Sequence, residues 1–141
     1  MLLSASFLQI QNQTNKIKKI NNLVDQIHFD IMDGIFVPNK TIDFEDMKEI
    51  SNYITKPKDF HFMVKDIYKY VDMYKELNPN YIIFHYESTK NIEETIDYLL
   101  AKEMISKNID VKTNIMILIL NVFFGRQCQD HMNWNDMILK E

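Results

Sequence analysis

The chain has 141 residues, a net charge of −4, a single cysteine and only two glycines, Gly34 and Gly125. That length supports one domain with a real core, and the scatter of Lys and Arg among Asp and Glu leaves no basic stripe for nucleic acid. No apolar run reaches membrane-spanning length. The lone Cys128 rules out an internal disulfide and suits a reducing cytosol, and the N-terminus lacks the basic region and cleavage site of a signal peptide.

In chain order, Leu2 to Ser6 reads as a short first strand. Thr14 to Val24 places Ile17, Ile20, Leu23 and Val24 on one helical face, with Lys16, Lys18 and Lys19 outside. Gln26 to Met32 alternates as a strand, and a loop over 33–42 with Asp33-Gly34 and Pro38 follows. Asp43 is placed to cap a helix to about Ile54, with Glu45 and Asp46 in its first turn. Pro57 breaks the chain before a strand at 59–64. Asp66 caps a helix whose apolar positions are Ile67, Tyr70, Val71, Tyr74 and Leu77, and Asn78-Pro79-Asn80 stops it. Tyr81 to His85 is a fourth strand. Asn91 and Glu94 open a further helix with Ile92, Ile96, Leu99 and Leu100 buried, running to about Lys107. Seven residues, 108–114, then precede an apolar run from Ile115 to Phe124 that suits a buried strand. The tail, roughly Gln129 to Lys140, is read as a loosely patterned helix. The alternation of strands and helices argues a parallel sheet with helices outside and right-handed crossovers.

Side chains of a strand alternate between two faces. His28, Asp30 and Met32 therefore share one face of QIHFDIM, and Ile27, Phe29 and Ile31 the other. DFHFMV repeats the design with His61 and Met63, and YIIFH ends on His85. Three strands thus carry a histidine at or near the C-terminal end, where parallel α/β folds bind ligands. Two imidazoles and a carboxylate suit a borderline divalent metal such as zinc, iron, manganese or cobalt. Read without their surroundings, the same residues are also consistent with buried polar groups satisfied by hydrogen bonds. Met32 and Met63 are equally consistent with core packing, His85 with a strand-end hydrogen bond, and Asp33-Gly34 with ordinary turn chemistry. Cys128-x-x-His131, a single pair without partners, is read as surface.

The stretches MLLSASF, IHFDIMDGIFVPNKTI, HFMV and IIFHYES resemble, in order and spacing, the motifs of ribulose-phosphate 3-epimerase. The resemblance covers roughly residues 1 to 107, and more thinly 115 to 127. It implies a metal held by His28, Asp30 and His61, with a fourth ligand from a seventh-strand aspartate that has no counterpart here. It implies that Asp30 removes the C3 proton of a ketopentose phosphate, the second aspartate returning one on the other face. Met32 and Met63 would line the site beneath the metal, with Leu120 where a third methionine would lie. His61, His85 and Gly125 would contact substrate, Gly125 within Phe123-Phe124-Gly125-Arg126-Gln127, which stands where the family has a glycine-rich phosphate loop.

A complete eight-stranded (β/α) barrel takes about 250 residues, so the expected fold is α/β: a partial TIM barrel of about five parallel strands with outer helices, forming a single incomplete domain over 1–141. The segment 108–114 is too short for a strand plus a crossover helix, so the Ile115 run is matched to the family's sixth strand after a deletion. The expected function is metal-assisted interconversion of D-ribulose 5-phosphate and D-xylulose 5-phosphate in the cytoplasm. The partners expected are a sugar phosphate and a second copy covering the open barrel edges, with neither nucleic acid nor membrane. The alternatives are a non-catalytic remnant that binds at most a metal or a partner, an epimerase for a related ketohexose phosphate, and last a barrel decarboxylase, whose catalytic lysine motif is not apparent.

Overall fold

Alternating apolar residues in three successive strands need a hydrophobic layer on one side only, and the helices supply it. The computed structural model describes residues 3–7, 14–102 and 115–118. The elements run β1 (Ser4–Phe7), α1 (Thr14–Asn21), β2 (Gln26–Met32), α2 (Phe44–Ser51), β3 (Lys58–Met63), α3 (Ile67–Tyr74), β4 (Tyr81–His85), α4 (Ile92–Ala101) and β5 (Ile115–Leu118). Short 3-10 turns at Lys75–Leu77 and Tyr86–Ser88 follow α3 and β4. The strands form one sheet in the order β1-β2-β3-β4-β5, with every pairing parallel. A doubly wound sheet reverses its strand order at a switch point. This one adds each strand beside its predecessor, as a (β/α) barrel does. The α/β partial barrel is thus observed over its five described strands.

The outer face of the sheet carries the core. Ile27, Phe29, Ile31, Phe60, Phe62, Ile82 and Phe84 are all fully buried. They meet Ile17 of α1, Met47 and Ile50 of α2, Ile67, Val71 and Tyr74 of α3, and Leu99 of α4 in one cluster. Phe60 stands edge-on to Phe29, Phe62 and Tyr74, with ring centroids 5.1, 6.2 and 5.9 Å away, the geometry that aromatic quadrupoles favour.

The strands at 26–32 and 81–85 have the limits expected from the sequence. Helix ends depart further. α1 stops at Asn21, so Leu23 falls in the turn that follows and is 74% exposed instead of joining Ile17. Asp66 caps α3 by accepting from Lys69 N. Asn91 caps α4 by accepting from Glu93 N and Glu94 N, but Asn91 N donates to Thr89 Oγ1, so the reciprocal half of the expected capping box is replaced. Asp43 precedes α2 without a capping bond from its side chain, and α2 ends at Ser51, short of Ile54. In α4 the buried positions are Thr95 and Leu99, with Ile96 half-buried. The Thr95 hydroxyl is engaged by Asn91 O, Tyr68 and Thr89, which makes its burial inexpensive. The extension of α4 to Lys107, the run beyond Leu118 and the tail helix lie outside the described residues.

The loop after β2 folds back onto the strand that carries the site. Thr41 is buried; its Oγ1 accepts from Met32 N at 2.7 Å and donates to Asp30 O at 2.6 Å, while Thr41 N donates to Met32 O. Valine has the same shape but neither hydrogen bond. Thr41→Val is expected to cost about 1–3 kcal/mol, because Met32 N–H is left buried without its partner. Chemical denaturation of the purified chain gives that number.

Candidate metal centre

Strand parity and register together place the polar residues. On β2, His28 and Asp30 face away from the aromatic core, and in the parallel pairing His28 lies opposite Asp59 and Asp30 opposite His61. Met32 lies opposite Met63 in the same ladder, buried and half-buried respectively. Ser6 of β1 is opposite His28. His85 ends β4, one residue beyond the Phe62–Phe84 pair.

Asp30 is the hub. Its Oδ1 lies 3.1 Å from His28 Nε2 and 3.0 Å from His61 Nδ1, and its Oδ2 accepts from Ser6 Oγ at 2.9 Å. One donor atom from each of His28, Asp30 and His61 falls within 4.8 Å of the other two. Both imidazoles have a second partner behind them. His28 Nδ1 is 3.0 Å from Asp59 Oδ1, and His61 Nε2 is 2.8 Å from His85 Nε2, a hydrogen bond in which one ring donates. His85 in turn lies against Phe36 of the loop after β2, with ring centroids 5.4 Å apart. That loop is held by Asp33, whose Oδ1 accepts from Ile35 N and Phe36 N and whose Oδ2 accepts from Lys65 N beyond β3. Gly34 supplies the positive φ of 75° that the turn requires.

The structure therefore brings together His28, Asp30, His61 and His85, with Met32 and Met63 on neighbouring strands. Gly125 lies outside the described residues, as do Arg126, Cys128 and His131. Two polar groups at the centre escaped the sequence reading, Asp59 and Ser6. A signal for each was present: Asp59-x-His61 is the mirror of His28-x-Asp30 on the next strand, and Ser6 has the parity of Ser4.

The electrostatics follow from this clustering. Hydrogen bonding to Asp30, then to Asp59, raises His28 to about 9 against the cost of burial. Burial works to raise Asp30, but hydrogen bonds from His28, His61 and Ser6 outweigh it and hold the carboxyl well below its ordinary range. His85 is pushed down to about 4 by burial first and by the neighbouring His61 second. These shifts set a stability profile for the chain in the presence of chelator. His28, raised above its unfolded value near 6.5, contributes fully below that pH and loses its contribution as pH rises through about 9. His85, depressed, contributes above about 6.5 and loses its contribution as pH falls through about 4. The melting temperature is expected to peak near neutral pH and decline on both sides. A plateau from pH 6.5 to 10 in chelated protein would show that the His28 pairing contributes nothing to stability.

A parallel α/β sheet with the sequential strand order of a barrel, carrying on the face away from its aromatic core a His-Asp-His group that could hold a metal, defines the class: a partial (β/α) barrel with a candidate metal centre. The family profile described as "Ribulose-phosphate 3 epimerase family" matches residues 1–122, and the chain belongs to that family. It is similar to the ribulose-phosphate 3-epimerase of Buchnera aphidicola subsp. Schizaphis graminum, at 38% identity over 70% of this chain and 42% of that protein. The enzyme of Escherichia coli K12 is 34% identical over 70% of this chain and 43% of its own length. That of Schizosaccharomyces pombe is 33% identical over 74% and 46%. The chain thus spans less than half the length of these relatives. Among the described residues no helix is long and apolar enough to cross a membrane.

Proposed function

We propose that this chain is a cytoplasmic, single-domain protein carrying the metal and first proton-transfer site of a ribulose 5-phosphate 3-epimerase. The observation that supports this most is the convergence of His28, Asp30 and His61 donor atoms within 4.8 Å on the inner face of a barrel-like sheet, in a chain of the epimerase family. The donor set fits a divalent metal such as zinc, iron, manganese or cobalt: two imidazole nitrogens and one carboxylate oxygen. A metal bound there supplies Lewis-acid stabilisation of the negative charge that develops on the substrate oxygens when the C3 proton leaves.

The remaining steps belong to the protein. Asp30 takes the C3 proton. Ser6 holds Oδ2 and the two histidines face Oδ1, so the carboxylate is oriented before substrate arrives, and orientation is a large part of proton-transfer efficiency. Ionisation of Asp30 is assured by the same contacts. Met32 and Met63 give the floor an apolar, polarisable surface. His61 and His85, hydrogen-bonded to each other with Phe36 against His85, would contact the sugar, and Gly125 would serve the phosphate. Completing the inversion requires a second proton donor on the opposite face of C3.

The test is hydrogen exchange at C3 of ribulose 5-phosphate in heavy water, followed by NMR with added zinc, iron or manganese. Exchange accompanied by xylulose 5-phosphate supports the full epimerase reading. Exchange without the epimer restricts the chain to the Asp30 half-reaction. No exchange in folded, metal-loaded protein overturns the proposal.

A further inference from the structure

Asp59 is buried, at 6% exposure, on the face of the sheet that carries the metal donors. A carboxylate there needs partners that stabilise its charge. Its Oδ2 accepts from Gln26 Nε2 at 3.3 Å. Its Oδ1 has no aligned hydrogen bond among the described residues, and His28 Nδ1 lies 3.0 Å from it, off the ideal donor axis. The parallel register places Asp59 directly opposite His28, so the contact is built into the pairing of β2 with β3.

We propose that Asp59 is a positioning residue for the centre: it accepts the proton of His28 Nδ1 and so fixes the tautomer that turns the Nε2 lone pair toward Asp30 and His61. The inference rests on the metal reading of this site given above. A neutral imidazole carries one proton on either nitrogen, and the hydrogen bond made by one nitrogen decides what the other offers. His28 has a carboxylate at each nitrogen, Asp30 at Nε2 and Asp59 at Nδ1. The two acceptors are unequal. Asp30 Oδ1 is already faced by His61 Nδ1, and Asp30 Oδ2 is held by Ser6. Asp59 Oδ1 lacks an aligned donor. Placed on Nδ1, the ring proton gives Asp59 Oδ1 a donor and leaves Asp30 Oδ1 to His61, so that the aligned Nε2 contact with Asp30 is the one a cation takes over. When Nε2 is given to a cation, the ring proton has to sit on Nδ1. Without Asp59 it would be a donor without its carboxylate acceptor, the kind of loss that weakens metal sites through their outer partners.

The experiment uses the full chain with 15N-labelled histidine. In chelated protein at pH 10, where the ring is neutral, long-range 15N–1H spectra are expected to place the His28 proton on Nδ1, and zinc loading is expected to keep it there. Asp59→Asn preserves size and removes the charge. It is expected to weaken zinc affinity about 10–100-fold, measured by competition with a chelating dye, while circular dichroism shows a cooperative melt. A proton on Nε2 in the native chelated chain overturns the proposal. So does a folded Asp59→Asn chain whose zinc affinity stays within about threefold of native. The chelated spectrum decides the tautomer even if Asp59→Asn does not fold. Loss of the proposed epimerase activity reads out separately, since neither measurement uses substrate.

Discussion

Asn in place of Asp30 is expected to lower zinc affinity at least about 100-fold and C3 hydrogen exchange at least about 1000-fold. Asparagine fills the same volume and still offers one carbonyl oxygen, so the variant tests charge more than packing. In the native chain one carboxylate serves three neighbours at once, His28, His61 and Ser6. An amide cannot satisfy that set. Its NH2 group would point a donor at either Ser6 or the two imidazoles, and its oxygen would carry no net charge to hold a cation. His28 would also lose the first cause of its elevated pKa, so the alkaline limb of the stability profile should shift toward lower pH. Zinc titration by calorimetry and exchange kinetics read the two effects independently. A variant that binds zinc as tightly as the native chain would remove Asp30 from the donor set.

Phe60→Ala is expected to destabilise the fold by about 3–5 kcal/mol, comparable to the whole stability of a marginal domain. Phe60 is fully buried at the middle strand of the sheet and touches aromatic rings on both flanks, Phe29 of β2 and Tyr74 of α3. Truncation removes the ring and opens a cavity that these rigid neighbours do not collapse to fill. Phe36→Ala at the half-buried mouth loop is the contrast, expected to cost about 1 kcal/mol or less, since its ring already meets solvent. Urea denaturation compares them. Equal costs at the two positions would mean that the outer face is loosely packed.

Much of the centre was legible because two simple rules compound. Alternation puts His28 with Asp30 and His61 with Met63, and parallel pairing of consecutive strands brings those faces side by side. No long-range information is needed beyond sheet order, and motif order supplied that. Asp59 obeys the same rules, and its Asp59-x-His61 spacing becomes readable only once the β2–β3 register sets it opposite His28. Leu23 was misplaced for a different reason. Periodicity continues through a helix stop, and only the turn after Asn21 ends it. Thr95 took a buried position from Ile96 because Tyr68 of α3, together with Thr89 just ahead of α4, satisfies its hydroxyl. Such tertiary compensation is not visible in a helical pattern.

The strictly sequential sheet order has a consequence for biogenesis. A nascent polypeptide emerges amino end first, and here each new strand docks on the one synthesised just before it. The donors and their outer partners, His28, Asp30, Asp59, His61 and His85, all lie on β2, β3 and β4. All of these residues are therefore synthesised before β5. Cation capture at that stage would clamp β2 to β3 and give the later segments a preformed surface on which to add, in keeping with amino-terminal-first folding during synthesis.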